Sequence, residues 1–166
     1  AALANAWAPQ PGLALLRLAQ GDAVAAAAMI NDAIEHPFDI PSKERPPYGG
    51  LRLAPLLDAQ VEIALANGKV TEASAASDRL CEIADTFASQ ALRASAELAR
   101  GRVALAEGDA VDAVARCERA VAMWIDVGAP FEAAVARTVL ADARHCAGNE
   151  DGARLDWQVA QRSFEE

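Results

Sequence analysis

Apolar and polar positions follow one another along this chain with the period of amphipathic helices, and four glycine-centred breaks divide the pattern. The breaks stand at Gly21-Asp22, Gly68-Lys69, Gly108-Asp109 and Gly148-Asn149; the last three are evenly spaced and the first interval is longer. An apolar stretch precedes each break and an alanine-rich amphipathic segment follows it, as in two antiparallel helices joined by a tight turn. Near-constant spacing of such units is typical of stacked helical repeats, which bury their apolar faces against neighbouring units.

The pattern predicts an all-α solenoid of about four antiparallel helix pairs within a single helical domain. The pairs are predicted at about residues 11–36, 51–86, 90–127 and 130–166. Residues 37–50 contain four prolines and two glycines, which predicts an irregular connector. Residues 1–9 have the pattern of the tail of a preceding helix, and neither terminus carries a helix cap or stop. We therefore expect the chain to be a piece of a longer protein.

Apolar spacing also predicts which face of the last helix is buried. Leu155, Val159 and Phe164 are the large apolar residues of this segment and are expected to form its inward face. The end faces of a repeat stack need a cover. The terminal helices are therefore expected either to self-associate or to be covered by further domains.

The net charge of the chain limits the classes of partner that it can bind. The net charge is −9, with 15 Lys and Arg residues dispersed among 24 Asp and Glu residues. Direct nucleic-acid binding and binding to an anionic membrane surface are disfavoured, because both need clustered basic residues. No apolar run approaches the roughly 20 residues of a transmembrane helix. Three cysteines without CxxC spacing fit a reducing cytoplasm.

Candidate chemistry is sparse. The chain has no phosphate-binding GxxxxGK[ST] loop, no GxSxG elbow and no HExxH motif. His145 and Cys146 are neighbours on a helix and cannot chelate one metal together. Asp58 and Glu62 share a helix face, a pattern more typical of a solvated surface than of a catalytic pair. Tryptophans at helical spacing are more often core than ligand-stacking residues, which applies to Trp7, Trp124 and Trp157. We therefore predict a non-enzyme without catalytic residues, metal or cofactor.

The segment from Ala94 to Val127 resembles a tetratricopeptide repeat. Gly101 stands where the paired helices of that family touch, Gly108-Asp109 stands at the turn, and small packing residues follow at Ala113, Cys117 and Ala120. The resemblance implies a tetratricopeptide-like solenoid, although the units average about 40 residues and the family period is about 34. In that family the first helix of each pair lines a concave groove. Carried over by register, the candidate groove residues are Asp58, Glu62, Leu98, Arg102, Leu105, Thr138, Asp142 and His145.

A narrower resemblance extends over most of the chain. It rests on residues 9–21, 99–109, 124–134 and 151–155, which are similar to the helical-repeat region of large LuxR-family transcriptional regulators from actinobacteria. In that family an ATP-binding domain precedes the repeats and a helix-turn-helix DNA-binding domain follows them, and neither lies in this sequence. The resemblance implies a cytoplasmic, non-catalytic segment for protein interaction and signal coupling, with DNA bound by the separate domain. Its partner would be a neighbouring domain of the same protein or a basic or amphipathic peptide. The alternative is a stand-alone adaptor that binds a peptide in its groove.

Overall fold

The computed structural model describes residues 9–36 and 49–165, which are all-helical and contain no strand. The eight helices of the described part are α1 (Gly12–Ala19), α2 (Ala23–Glu35), α3 (Gly49–Ala66), α4 (Val70–Phe87), α5 (Gln90–Glu107), α6 (Ala110–Val127), α7 (Pro130–Cys146) and α8 (Glu150–Glu165). The predicted all-α class is confirmed. The predicted tail at residues 1–9 and connector at 37–50 lie outside the described residues, except for residue 9 and for Gly49 and Gly50, which begin α3.

Local interactions at the glycine-centred breaks explain why the helices end where the sequence predicts. The glycines have φ angles between 70° and 87°, a left-handed conformation that a Cβ atom makes costly: Gly21, Gly68, Gly108 and Gly148. Three of the residues that follow cap the next helix by accepting a backbone N–H bond: Asp22, Asp109 and Asn149. The predicted helix–turn–helix breaks are confirmed at these positions.

The chain divides into two compact units, residues 1–76 and 77–166, and the division falls within α4. In the first unit α1, α2 and α3 pack against one another. Its core is formed by Ala14, Ala26, Ile30, Ala59 and Ile63. The side-chain amide of Asn67 donates to the carbonyl oxygen of Ala23 at 2.9 Å, which ties the end of α3 to the start of α2.

In the second unit α5, α6, α7 and α8 pack in chain order, each against the next, and α5 also contacts α7. Its main core contains Leu98, Cys117, Ala120, Val121, Ala136 and Leu140. Small residues permit a close approach, since a Cβ atom on Gly101 would lie only 2.6 Å from Sγ of Cys117. Packed neighbouring helices are thus the observed arrangement within each unit. That all pairs form one domain stays a prediction.

The inward face of α8 is not the predicted one. Ala153, Asp156 and Ala160 are buried there, whereas Leu155 and Phe164 are 59% and 46% exposed and Val159 is half-buried. Alanines let α8 lie close to α7. The carboxylate of Asp156 is accommodated because it pairs with arginines of α7. The prediction of a buried face at Leu155, Val159 and Phe164 is wrong.

The turn between α4 and α5 holds a strained alanine. Ala88 has a φ of 50°, whereas Gly128, at the equivalent position of the turn between α6 and α7, has a φ of 76°. We expect Ala88→Gly to raise the free energy of unfolding by up to about 1 kcal/mol, because relief of left-handed strain exceeds the entropic cost of glycine. The reverse change, Gly128→Ala, should lower it by about 1 kcal/mol. Urea unfolding measures both variants, and destabilisation by Ala88→Gly would contradict the strain.

Candidate protein-interaction surface

Six of the eight predicted groove residues lie on two helices of the second unit. Helix α5 carries Leu98, Arg102 and Leu105, and α7 carries Thr138, Asp142 and His145. Within each set the spacing is i, i+4, i+7, which places its members on one face of the helix. Because α5 and α7 are in contact, the structure brings these two helices together around α6.

The apolar members of this set pack inward. Leu98 is 4% exposed and belongs to the core, and Leu105 is half-buried against a smaller core cluster that contains Ala104 and Ala113. The hydroxyl group of Thr138 donates to the carbonyl oxygen of Val135 at 2.7 Å. Leu98 therefore contributes to stability and not to an exposed surface. The surface open to a partner comes mainly from the polar members of the set.

Asp142 and His145 meet a tryptophan from α8. The indole Nε1 of Trp157 donates to Oδ1 of Asp142 at 3.3 Å, and the His145 and Trp157 ring centroids are 6.1 Å apart. Nδ1 of His145 lies 2.9 Å from a carboxylate oxygen of Glu150 at the start of α8. All four side chains are exposed. We call Asp142, His145, Glu150 and Trp157 the Trp157 cluster.

The sequence predicts a core role for Trp157, but the side chain is 41% exposed. Trp157 stands one repeat after Cys117, which is fully buried on α6 in the core that α7 joins. The repeat spacing therefore places Trp157 on the corresponding face of α8, but it does not by itself predict whether that face is covered. Trp124 is partly buried against the core, and Trp7 lies outside the described residues.

Arg102 and Asp142 both lie near Cys117. Burial raises the pKa of the Cys117 thiol to about 12, the positive charge of Arg102 opposes this rise, and nearby carboxylates that include Asp142 add to it. Burial also raises the pKa of Cys81. A thiol with a raised pKa stays protonated at neutral pH and is a poor nucleophile. The nearby charged groups therefore do not make Cys117 a reactive thiol.

The remaining two candidates belong to the first unit. Asp58 is half-buried and Glu62 is exposed, one helical turn apart on α3. On the same helix Gln60 donates to Asn31 of α2 at 2.9 Å, and Asn31 donates to Glu72 of α4 at 3.2 Å. The eight predicted residues thus form two groups, one in each unit.

Comparison with known proteins finds no match to this chain among protein-family models, curated proteins or solved structures. Across residues 9–36 and 49–165, no group of three or more His, Cys, Asp and Glu side chains is placed to hold a metal ion. None of the helices in those ranges is long and apolar enough to cross a membrane.

Proposed function

We propose that this chain is a non-catalytic helical-repeat scaffold that binds protein, and that it couples signals within a LuxR-family-like transcriptional regulator. The observation that carries the proposal is the packing order within each unit: α1 contacts α3, and α5 contacts α7, while the intervening helix packs against both. This order is the one expected of a tetratricopeptide-like solenoid, in which the first helices of successive pairs lie side by side. Such a row of helices presents one continuous face to a partner.

The polar character of the α5–α7 face favours a protein partner with charged groups. Arg102 stands on α5, and Asp142 and His145 stand on the equivalent turns of α7. A face with both signs of charge suits recognition of a peptide or a folded neighbour through complementary charges. Phosphate backbones would need a basic surface instead, and the net charge is −9.

The narrower part of the proposal is that the chain belongs to a transcriptional regulator. It is supported by a resemblance to the helical-repeat region of LuxR-family regulators, which rests on residues 9–21, 99–109, 124–134 and 151–155. In a cytoplasmic regulator of this kind, binding of an effector elsewhere would alter the docking of neighbouring domains on the helical face. Such coupling requires that the effector bind the two arrangements with different affinity. The adaptor alternative uses the same face for a peptide of a separate protein. A helix-turn-helix domain encoded after residue 166 would support the regulator over the adaptor.

The groove is tested by Arg102→Ala and Asp142→Ala, with Glu132→Ala as the matched control. Glu132 is an exposed acid in the first turn of α7, about 15 Å from Asp142 along the helix axis. We expect both groove variants to reduce recovery of specific partners from a lysate of the source organism by about tenfold or more, in line with a loss of about 1.4 kcal/mol. The control should bind as the unaltered chain does. Equal recovery by all variants would remove the support for the groove.

A further inference from the structure

The second unit contains two equivalent helix pairs, because α5 and α6 begin at residues 90 and 110 whereas α7 and α8 begin at 130 and 150. One face of the α5–α6 pair is covered by α7, which packs against both helices. A shift by one repeat identifies the corresponding face on α7 and α8, which we call the outward face. The structure therefore shows, within one unit, what a covered face of this type looks like.

The two faces differ in chemistry. The large side chains that α7 covers on α5 and α6 are apolar, whereas the equivalent positions of the outward face are polar or aromatic. The residues Leu98, Leu105, Val114, Cys117, Val121 and Trp124 correspond in order to Thr138, His145, Arg154, Trp157, Gln161 and Phe164. Five of the latter six are exposed, and Thr138 is half-buried. The cation among them, Arg154, is already paired with Asp151 at 3.5 Å. The outward face is thus not suited to an element that binds through apolar contacts alone.

Carboxylates give this face its charge preference. Asp142 replaces Arg102 of the preceding pair, and Glu150 replaces Ala110. Asp142 accepts a hydrogen bond from Trp157, and Glu150 pairs with His145 beside the same ring. An exposed indole that donates to one carboxylate and lies beside a histidine paired with a second favours a cationic side chain, which gains both a cation–π contact and charge-assisted hydrogen bonds.

We propose that the outward face docks a cationic amphipathic helix of a partner protein, with an Arg or Lys side chain held by the Trp157 cluster. The packing of α7 on α6 also combines a cation with apolar contacts, since Arg144 of α7 reaches Glu118 of α6 at 2.8 Å while Ala136 and Leu140 of α7 enter the core. The outward face carries Gln158 in place of Glu118, so its carboxylates for a cation are those of the Trp157 cluster. A second copy of this chain is a poor occupant because its own net charge of −9 repels an acidic face. This inference rests on the proposed function and names the chemistry of the partner.

The test uses the full chain and two synthetic amphipathic helices of equal length, one of Ala, Leu and Arg and one with Glu in place of each Arg. Calorimetric titration should show binding of the Arg helix and none of the Glu helix. Trp157→Ala and Asp142→Asn should each weaken binding about tenfold, the effect of losing a desolvated cation–π contact or one charge-assisted bond. Glu132→Gln removes the same charge as Asp142→Asn at the other end of α7 and should stay within about twofold. Trp157→Phe keeps the ring and should retain most of the binding.

Four outcomes would overturn the inference. Equal binding of the Arg and Glu helices, or equal losses from Asp142→Asn and Glu132→Gln, would mean that the outward face has no cation preference of its own. Concentration-dependent dimerisation abolished by Trp157→Ala would mean that a second copy occupies the face. Finally, Arg102→Ala could lose the native partner while Trp157→Ala keeps it and unfolds at the same temperature as the unaltered chain. In that case the proposed groove function stands and the inference about the outward face fails.

Discussion

Replacing Asp156 by alanine is expected to lower the free energy of unfolding by about 2–3 kcal/mol, the largest single effect that we predict. The Asp156 side chain is 5% exposed and faces Nη1 of Arg144 and, at 3.5 Å, Nη1 of Arg137. Removing the carboxylate leaves two guanidinium groups of α7 without their shared counter-charge. Breaking a fully buried pair costs about 3–5 kcal/mol. We expect less because the two arginine side chains are 26% and 22% exposed and water replaces part of the interaction.

The ion pair of Asp156 with Arg144 is part of a larger network that reaches a third helix, α6. Nη2 of Arg144 also donates to Glu118 of α6 at 2.8 Å, and this hydrogen bond, together with the charge of Asp156, raises the pKa of Arg144. The arginine therefore stays charged at neutral pH. Asp156→Asn keeps an acceptor but loses the charge, and its effect should lie between those of the unaltered chain and Asp156→Ala.

Asp151→Ala provides the control, because it makes the same substitution on the same helix at a side chain that is 96% exposed. Its pair with Arg154 is a surface contact, and we expect a change of no more than about 0.5 kcal/mol. Urea unfolding at pH 7 gives both values from the midpoint and slope. Similar midpoints for Asp151→Ala and Asp156→Ala would show that the buried ion pair does not stabilise the packing of α7 and α8.

Gly101→Ala should destabilise the chain by about 1–2 kcal/mol, although alanine is the better helix former. The added Cβ would lie 2.6 Å from Sγ of Cys117 and 3.6 Å from the carbonyl oxygen of Ala113. Cys117 is fully buried and cannot move into solvent. Overpacking costs about 1–3 kcal/mol, and a contact of 2.6 Å with a buried sulfur belongs to the upper part of that range, which exceeds the gain of about 1 kcal/mol in helix propensity. Thermal or urea unfolding measures the difference.

A double-mutant cycle identifies the cause. Cys117→Ala removes the sulfur and should itself cost about 1 kcal/mol by leaving a small cavity. In the Gly101→Ala/Cys117→Ala variant the new methyl group has room, so we expect a favourable coupling of about 1 kcal/mol or more. Gly12→Ala is the control, since no atom lies within 4 Å of its added Cβ, and it should leave stability unchanged or higher. Additive effects of the two core substitutions would contradict a direct clash.

Helix boundaries were predictable because their causes are local. In each of the four pairs a glycine in the left-handed conformation follows the first helix: Gly21, Gly68, Gly108 and Gly148. In three of the pairs the next residue caps the second helix with its side chain: Asp22, Asp109 and Asn149. These interactions involve residues within one turn of each other, so a single sequence contains them. The even spacing of the repeats likewise predicted that α5 and α7 carry equivalent positions. Arg102, Asp142 and His145 were placed on these two helices by register alone.

The candidate surface was only partly predictable. Register placed Leu98 in the groove, but the residue is buried because α7 packs over it. Trp157 and Glu150 were not in the predicted set, and they join Asp142 and His145 only because α8 packs along α7. Such neighbours come together across a turn, in a geometry that depends on how closely the two helices approach.

The amino-acid order by itself determined where helices begin and end and which residues share a helix face, since backbone geometry and side-chain capping act over a few residues. Only the tertiary structure decided which of those faces is buried. On α8 the buried residues are Ala153, Asp156 and Ala160, whereas Leu155 is exposed. The physical reason is that burial depends on what the partner helix offers: α7 supplies two arginines that pair with the carboxylate of Asp156, and the other two buried positions are alanines, which permit a close approach of the helices.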